Sequence, residues 1–376
     1  MELSPRESLI TLNLIPGLGS VRIQSLLSFF GSAELVLAAP HGVLENVPRI
    51  GPKLARAIAS WRDCTNVHAE LALAESHGVR VVTIVDDDYP AALRRMSDPP
   101  IVLYVRGEWL PADGERGVAI VGSRAATPYG MSHARRFGRE LADAGCTIIS
   151  GLARGIDTAG HWGALDAGGR TIAVLGSGLA HLFPQENSEL AHRICHGHGA
   201  VVSEFPMTLP PGRTTFPQRN RIVAAWAKAV LVAEAPHRSG ALHTAAIAAD
   251  YYGNTVFALP GSIDSPSSVG CHGLIRDGAI LCTTPQELLR DMNWSGPAQQ
   301  MELFPAKEPT EEAPRPEPTD CADRADILAA IAAGHDTLDA LCSALGLRTM
   351  QLTPQLMRLQ IERAIIPLPG GRYSCC

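Results

Sequence analysis

The stretch Gly212-Arg-Thr-Thr-Phe-Pro-Gln-Arg-Asn-Arg221 sets three arginines, an asparagine and a phenylalanine in a Gly/Pro loop that opens into a helix. Guanidinium groups grip phosphate oxygens with paired N–H donors, and an aromatic ring stacks on a nucleobase. Phe216, Arg219, Asn220 and Arg221 are therefore candidates for holding a nucleotide-bearing ligand. A second junction lies upstream in Ala119-Ile-Val-Gly-Ser-Arg124, an apolar strand ending in a small turn just before Thr127-Pro128 starts a helix. Backbone N–H groups at Gly122 and Ser123, the Ser123 hydroxyl and the Arg124 guanidinium are expected to converge on one anion there. Ser150-Gly151, followed by Arg154, and Gly176 with Gly178 end the next two strands, where a missing side chain would let a ligand approach the backbone. Ser239-Gly240, with Thr244 one turn on, begins a further helix with hydroxyl groups at the end whose dipole favours phosphate.

Several chemistries are excluded by inspection. The chain has only three lysines, Lys53, Lys228 and Lys307, and none follows a glycine, so no Walker A phosphate loop exists. Gly122-Ser-Arg-Ala-Ala-Thr lacks the glycine spacing of a dinucleotide fingerprint, and no cofactor is expected. The nine cysteines are scattered singly apart from Cys375-Cys376, without metal-ligand spacing, and read as reduced thiols. Cys195-His196-Gly197-His198 reads as a polar helix end and Gly turn, not a metal site. The first residues lack a secretory pattern and no apolar run approaches the roughly 18 residues of a membrane span, so a cytoplasmic protein without membrane contact is expected. A net charge of −6 argues against a nucleic-acid partner only until it is localised. Residues 297–326 carry eight acidic groups against three basic, whereas 117–290 carry fourteen basic against twelve acidic.

The elements that must position these groups follow from hydropathy. Residues 1–70 read as a helical domain whose Gly-punctuated turns, Leu14-Ile-Pro-Gly-Leu-Gly19 and Val47-Pro-Arg-Ile-Gly51, resemble halves of helix-hairpin-helix modules. From residue 79 to 293, apolar β-branched runs at 81–85, 101–105, 118–121, 147–150, 171–175, 200–203, 230–233, 255–259 and 279–282 alternate, from the third onward, with helix-sized segments. That pattern predicts a doubly wound α/β domain on a mostly parallel sheet, with ligands at the carboxyl ends of the strands. On the helix over 128–144, Gly130, Ala134, Phe137 and Leu141 form the apolar stripe and Arg135, Arg136 and Arg139 face outward. Six prolines amid Glu and Ala mark 294–323 as a tether. Residues 324–376, three short apolar-periodic helices and a Gly-turn ribbon, predict a winged helix in which Pro354 interrupts the third helix.

In the order Ile120-Val-Gly-Ser-Arg124, Ser150-Gly-Leu-Ala-Arg-Gly-Ile-Asp157, Thr171–Gly176, Phe216–Arg221, Ser239–Ala245 and Leu259-Pro-Gly261, the chain resembles the DNA-processing protein DprA (Smf) family over about residues 80–290. The resemblance implies an extended Rossmann-like domain that binds single-stranded DNA without chemistry, dimerises, and loads RecA recombinase onto incoming strands during natural transformation. By motif it places Gly122, Ser123 and Arg124 in a phosphate pocket extended by Phe216, Arg219, Asn220 and Arg221. Ala241 and His243 depart from the family's usual residues at that helix start. The competing reading is a nucleotide phosphoribohydrolase of the LOG type, for which the strand-end carboxylates Glu204 and Glu234 are the acid–base candidates. That class carries a glutamate on the helix start where Ser239–Ile247 has none.

Overall fold

The computed structural model describes residues 3–294 and 324–375, apart from residues 348, 363, 369 and 370. Apart from Trp294, the tether expected over 294–323 lies outside the described residues. The chain divides into two compact units, residues 1–299 and 300–376.

Nine strands form the sheet of the first unit: β1 (Arg80–Thr83), β2 (Val102–Gly107), β3 (Gly117–Gly122), β4 (Thr147–Ser150), β5 (Thr171–Val174), β6 (Gly199–Ser203), β7 (Ala229–Glu234), β8 (Thr255–Ala258) and β9 (Ile280–Leu281). Their order is β1-β2-β6-β5-β4-β3-β7-β8-β9. Strands β6 to β9 along this order are all parallel, while β2 runs antiparallel to β6 and β1 antiparallel to β2. The chain thus winds outward from β3 in one direction, then returns to β7 on the other side of β3. This is the doubly wound, Rossmann-like arrangement expected of alternating apolar runs and helices.

Alternation along each strand divides the core into two layers. Val118, Ile120, Leu231 and Phe257 point to the layer that receives Phe137 from helix Pro128–Asp143 and Ile156 from helix Ile156–Asp166. Ala119, Val121, Val230 and Val232 point to the opposite layer, with Ile222 and Val223 of helix Thr215–Trp226 and Ala245 and Ala248 of helix Gly240–Tyr252. The stripe Gly130, Ala134, Phe137, Leu141 is buried as its spacing requires. Of the arginines beside it, Arg135 pairs with Asp166 and Arg136 donates to the Thr283 carbonyl at 2.8 Å.

Seven short helices between Pro5 and Ser76 precede the sheet. Two of their turns repeat one geometry. In Ile15–Gly19 and Val47–Gly51 the first and fourth residues are buried, the third is left-handed (Gly17 φ 81°, Arg49 φ 70°), and the closing glycine heads the next helix without a side-chain cap. These helices share one apolar cluster with Val81, Val102 and Tyr104 of β1 and β2, so they belong to the same compact unit as the sheet.

The second unit has helices Arg324–Ala332, Leu338–Leu345 and Thr349–Ile361 and an antiparallel ribbon of β10 (Ile365–Leu368) and β11 (Arg372–Cys375). Pro354 does not interrupt the third helix, contrary to the sequence expectation. Its ring sits exposed on the outer face, while Leu352, Leu356 and Leu359 are buried and hold the helix to the core across the missing hydrogen bond.

Candidate nucleic-acid interface

A pocket of about 290 Å³ lies over the carboxyl ends of β3, β4 and β5, lined by Arg124, Ala125, Gly151, Ala153, Arg154, Phe183, Pro184, Phe216 and Arg219. Arg124 is the second residue after β3 and is exposed, with its guanidinium carbon 4.7 Å from the centroid of the Phe216 ring. Its side chain makes no hydrogen bond or ion pair within the described residues. Phe183, 43% exposed, tilts against Phe216 with ring centroids 5.9 Å apart. The mouth of the pocket therefore offers an uncommitted cation on an aromatic ring, beside a second ring open to solvent.

The floor is a buried arginine. Arg219 is 3% exposed; its Nη1 donates to the Val174 carbonyl and its Nε donates to Asn220 Oδ1 at 3.2 Å. Burial pulls its guanidinium down to about 10, while the charge of Asp157 works in the opposite sense. Burial likewise pushes the Asp157 carboxyl up, against the pull of Arg219 and of hydrogen bonds donated by Ala153 N and, at 3.0 Å, Gly151 N. Two glycines make this packing possible. A methyl group on Gly151 would overlap the Arg219 guanidinium, and one on Gly176 would stand 2.7 Å from Phe216 Cδ1.

That geometry corrects the reading of the strand-end glycines as openings for a ligand. The protein's own atoms fill the side-chain position at all four, and of these glycines only Gly151 borders the pocket. A methyl on Gly122 would meet Ile156 Cγ1 at 2.5 Å and the Glu234 carbonyl at 2.7 Å, and one on Gly178 would collide with the Pro206 and Met207 carbonyls. The hydroxyl-bearing residues are similarly committed. Ser123 N donates to the Glu234 carbonyl at 2.7 Å and Ser123 Oγ accepts from Ala125 N at 3.2 Å, and the residue is buried and does not line the pocket. Ser150 Oγ donates to the Ile120 carbonyl at 2.6 Å within the core. Ser239 caps its own helix through Ala241 N, Thr244 is buried, and neither they nor Gly240 line the pocket.

Arg154 reaches the pocket with both donors of its guanidinium edge already bound to Glu186, Nε to Oε1 at 2.7 Å and Nη2 to Oε2 at 2.8 Å. Arg221 does not reach it. Its guanidinium pairs with Glu204 and, at 3.2 Å, with Asp98, and donates to Ser20 Oγ of the N-terminal helices at 3.3 Å. It lines a separate cleft of about 1070 Å³ between those helices and the loop after β6. Phe183 and Pro184 were missed by sequence reasoning because they lie in an irregular segment without strand or helix period. Their signal was an aromatic-proline pair in an otherwise polar stretch, Phe183-Pro-Gln-Glu-Asn187.

The strand-end carboxylates are structural. The β3/β7 crevice, where a doubly wound sheet ordinarily receives its ligand, is closed by Glu234, which is 2% exposed and accepts from Thr127 N at 3.1 Å and from Thr127 Oγ1 at 2.5 Å. Glu204 faces Arg221, and burial pushes its carboxyl up despite that partner. Among the described residues no group of three or more His, Cys, Asp or Glu side chains is placed to hold a metal, and His192 and His196 stack at 3.8 Å instead. No described helix is long and apolar enough to cross a membrane.

Comparison with known proteins agrees with this architecture. Residues 80–293 match the family model of DNA recombination-mediator protein A, and residues 311–371 match that of the DprA winged helix domain. Protein Smf of Escherichia coli is 37% identical over 310 residues, covering 81% of this chain and 80% of its own. The crystal structure of DNA processing protein A from Streptococcus pneumoniae superposes with a TM-score of 0.66 at 33% identity, covering 77% of this chain and 99% of that one. A structure of DNA processing protein A from Helicobacter pylori, described for its single-stranded DNA binding mode, superposes with a TM-score of 0.52 at 29% identity, covering 57% and 95%. The sheet domain and the winged-helix unit thus both match along most of the sequence, and the chain belongs to the DNA recombination-mediator protein A (DprA/Smf) family.

Proposed function

We propose that this chain binds single-stranded DNA at the Arg124–Phe216 pocket and acts on it without covalent chemistry, as a mediator that protects incoming strands and loads RecA recombinase during natural transformation. The observation that carries the DNA reading is the uncommitted Arg124 guanidinium lying on Phe216 at the pocket mouth, with Phe183 alongside. An unpaired base has a free face to lay on such a platform and its phosphate is free to meet the cation; in a duplex the faces are already stacked. The single-stranded DNA binding mode named for the Helicobacter pylori relative supports the same assignment. The RecA step rests on the family resemblance. Exposed Ile263 and Tyr251, together with Leu281 on the edge strand β9, support a homodimer formed through the sheet domain. A phosphoribohydrolase is disfavoured because Glu204 and Glu234 are tied to Arg221 and Thr127 and neither lines the pocket.

The test is a titration of the purified protein with labelled oligo-dT and with a duplex of equal length at two salt concentrations. Tighter binding of oligo-dT is expected. Arg124→Ala should weaken it by about 1.5–3 kcal/mol, the range for a hydrogen bond to a charged group, and flatten the slope of log K against log salt by about 0.7. Equal affinity of wild type and a folded Arg124→Ala variant would remove the site.

A further inference from the structure

Glu186 is the acidic partner of Arg154, a residue that lines this otherwise cationic and aromatic pocket, and nothing in the binding reading uses it. Its two oxygens take Nε and Nη2 of Arg154 at 2.7 and 2.8 Å, the parallel two-point geometry a phosphate oxygen pair would adopt on the same edge. The carboxylate is stationed there by its own segment. Asn187, the next residue, is buried and donates from Nδ2 to the Leu152 carbonyl at 2.9 Å and to Thr158 Oγ1 at 2.8 Å, tying the Phe183–Glu186 segment to the loop that carries Arg154. The pair itself is open to solvent, with side-chain exposures of 61% for Arg154 and 52% for Glu186, so it is weak enough for a strand to displace.

We propose that Glu186 is a built-in phosphate mimic: it occupies the Arg154 edge in the free protein and is displaced by a backbone phosphate of the bound strand, so that Arg154 contributes only to ligands already held at Arg124 and Phe216. This rests on the single-strand reading of the pocket. An isolated anion must expel Glu186 with nothing else to hold it; a strand threading the aromatic platform presents its next phosphate at high local concentration. Glu186 therefore suppresses binding of small anions and lowers the salt dependence of strand binding. When phosphate replaces it, the released carboxylate regains its own counterion, which offsets the one the phosphate loses.

Oligo-dT and inorganic phosphate are titrated against the full chain, its Glu186→Gln, Arg154→Ala and doubly substituted forms, and Glu189→Gln, an exposed carboxylate three residues on that, unlike Glu186, pairs with no residue lining the pocket. Glu186→Gln should tighten oligo-dT up to about fivefold, the upper value of an exposed ion pair, and steepen the log K against log salt slope by about 0.7. It should also raise the competition by inorganic phosphate. In the Arg154→Ala background the same substitution should do no more than Glu189→Gln does. Unchanged or weaker binding by Glu186→Gln would overturn the proposal, the latter showing that Glu186 orients Arg154 instead. Equal tightening with and without Arg154 would also overturn it, leaving a general charge effect. If wild type and all variants fail to bind oligo-dT, the pocket assignment itself is wrong and this inference falls with it; if wild type binds and Glu186→Gln matches it, only this inference is lost.

Discussion

Two flanks of one helix, Thr215–Trp226, do different work with the same residue type. Arg219 lies under the pocket, against Gly151 and the Val174 carbonyl, and builds the floor on which Phe216 and Arg124 stack. Arg221, two residues later, points away from the pocket, pairs with Glu204 and Asp98 and reaches Ser20. Two residues are about 200° of helical rotation, so neighbouring arginines of one motif are delivered to opposite sides. A string of arginines in a loop-to-helix junction identifies a charged element without saying which charges meet a ligand.

The sharpest way to break this comparison is to remove each flank in turn. Arg221→Ala leaves Glu204 buried without its cation and should cost about 3–5 kcal/mol in urea unfolding, while the fraction that remains folded binds oligo-dT within about threefold of wild type. A stable Arg221→Ala protein with lost DNA affinity would reverse the assignment of the two flanks. Phe216→Ala should show the opposite pattern, losing about 1–3 kcal/mol of strand binding, the cost of removing one base-stacking ring, and less of stability because the ring is only half-buried.

Acid titration sharpens the same contrast. His161 is fully buried beside Thr171 Oγ1, to which its Nδ1 bonds at 2.6 Å, and burial with the charge of Arg219 holds it neutral, down to about 3. Because its folded pKa lies below the unfolded value near 6.5, the unfolded state takes up the proton first, and stability is lost as pH falls from about 6.5 toward 3. The loss between pH 7 and 5.5 should be about 1 kcal/mol, and His161→Gln should remove that part of the slope in calorimetric unfolding. Glu204, pushed up, contributes in the other sense, favouring the folded state as pH falls through its folded value. A pH slope unaffected by His161→Gln would show that the histidine is not neutral in the fold. Arg139→Ala, on the exposed face of helix Pro128–Asp143, should leave both stability and strand binding within about 0.5 kcal/mol.

How far the sequence could be read depended on what each residue touches. All nine strands of the sheet fall on the apolar runs, and in the central strands β3 to β7 burial on both faces leaves little choice of side chain. Arg124 and Phe216 were legible from their place at strand-to-helix and loop-to-helix junctions. The glycines were not: Gly122, Gly151, Gly176 and Gly178 have the same sequence signature whether a ligand or the chain's own Ile156, Arg219, Phe216 and Met207 fills the space. Ser123 and Ser150 were misassigned for a related reason, since a hydroxyl at a strand end serves an internal carbonyl or N–H as readily as a phosphate. Phe183 escaped because irregular segments carry no period, and Pro354 misled because its neighbours' burial outweighs one absent N–H.

The tie from Arg221 to Ser20 bears on how the protein can be taken apart. Asn13 Nδ2 donates to the Glu204 carbonyl at 3.2 Å, and Glu70 Oε1 accepts from Met207 N at 2.7 Å. The N-terminal helices are thus pinned at three points to the loop after β6 and to helix Thr215–Trp226. Removing the chain before β1 would take away the Asn13, Ser20 and Glu70 contacts and uncover the apolar surface of Val81, Val102 and Tyr104. Amide hydrogen exchange should accordingly find the helices between Pro5 and Ser76 opening together with the sheet and not ahead of it, as one cooperative folding unit that limited proteolysis cannot trim from its amino-terminal side.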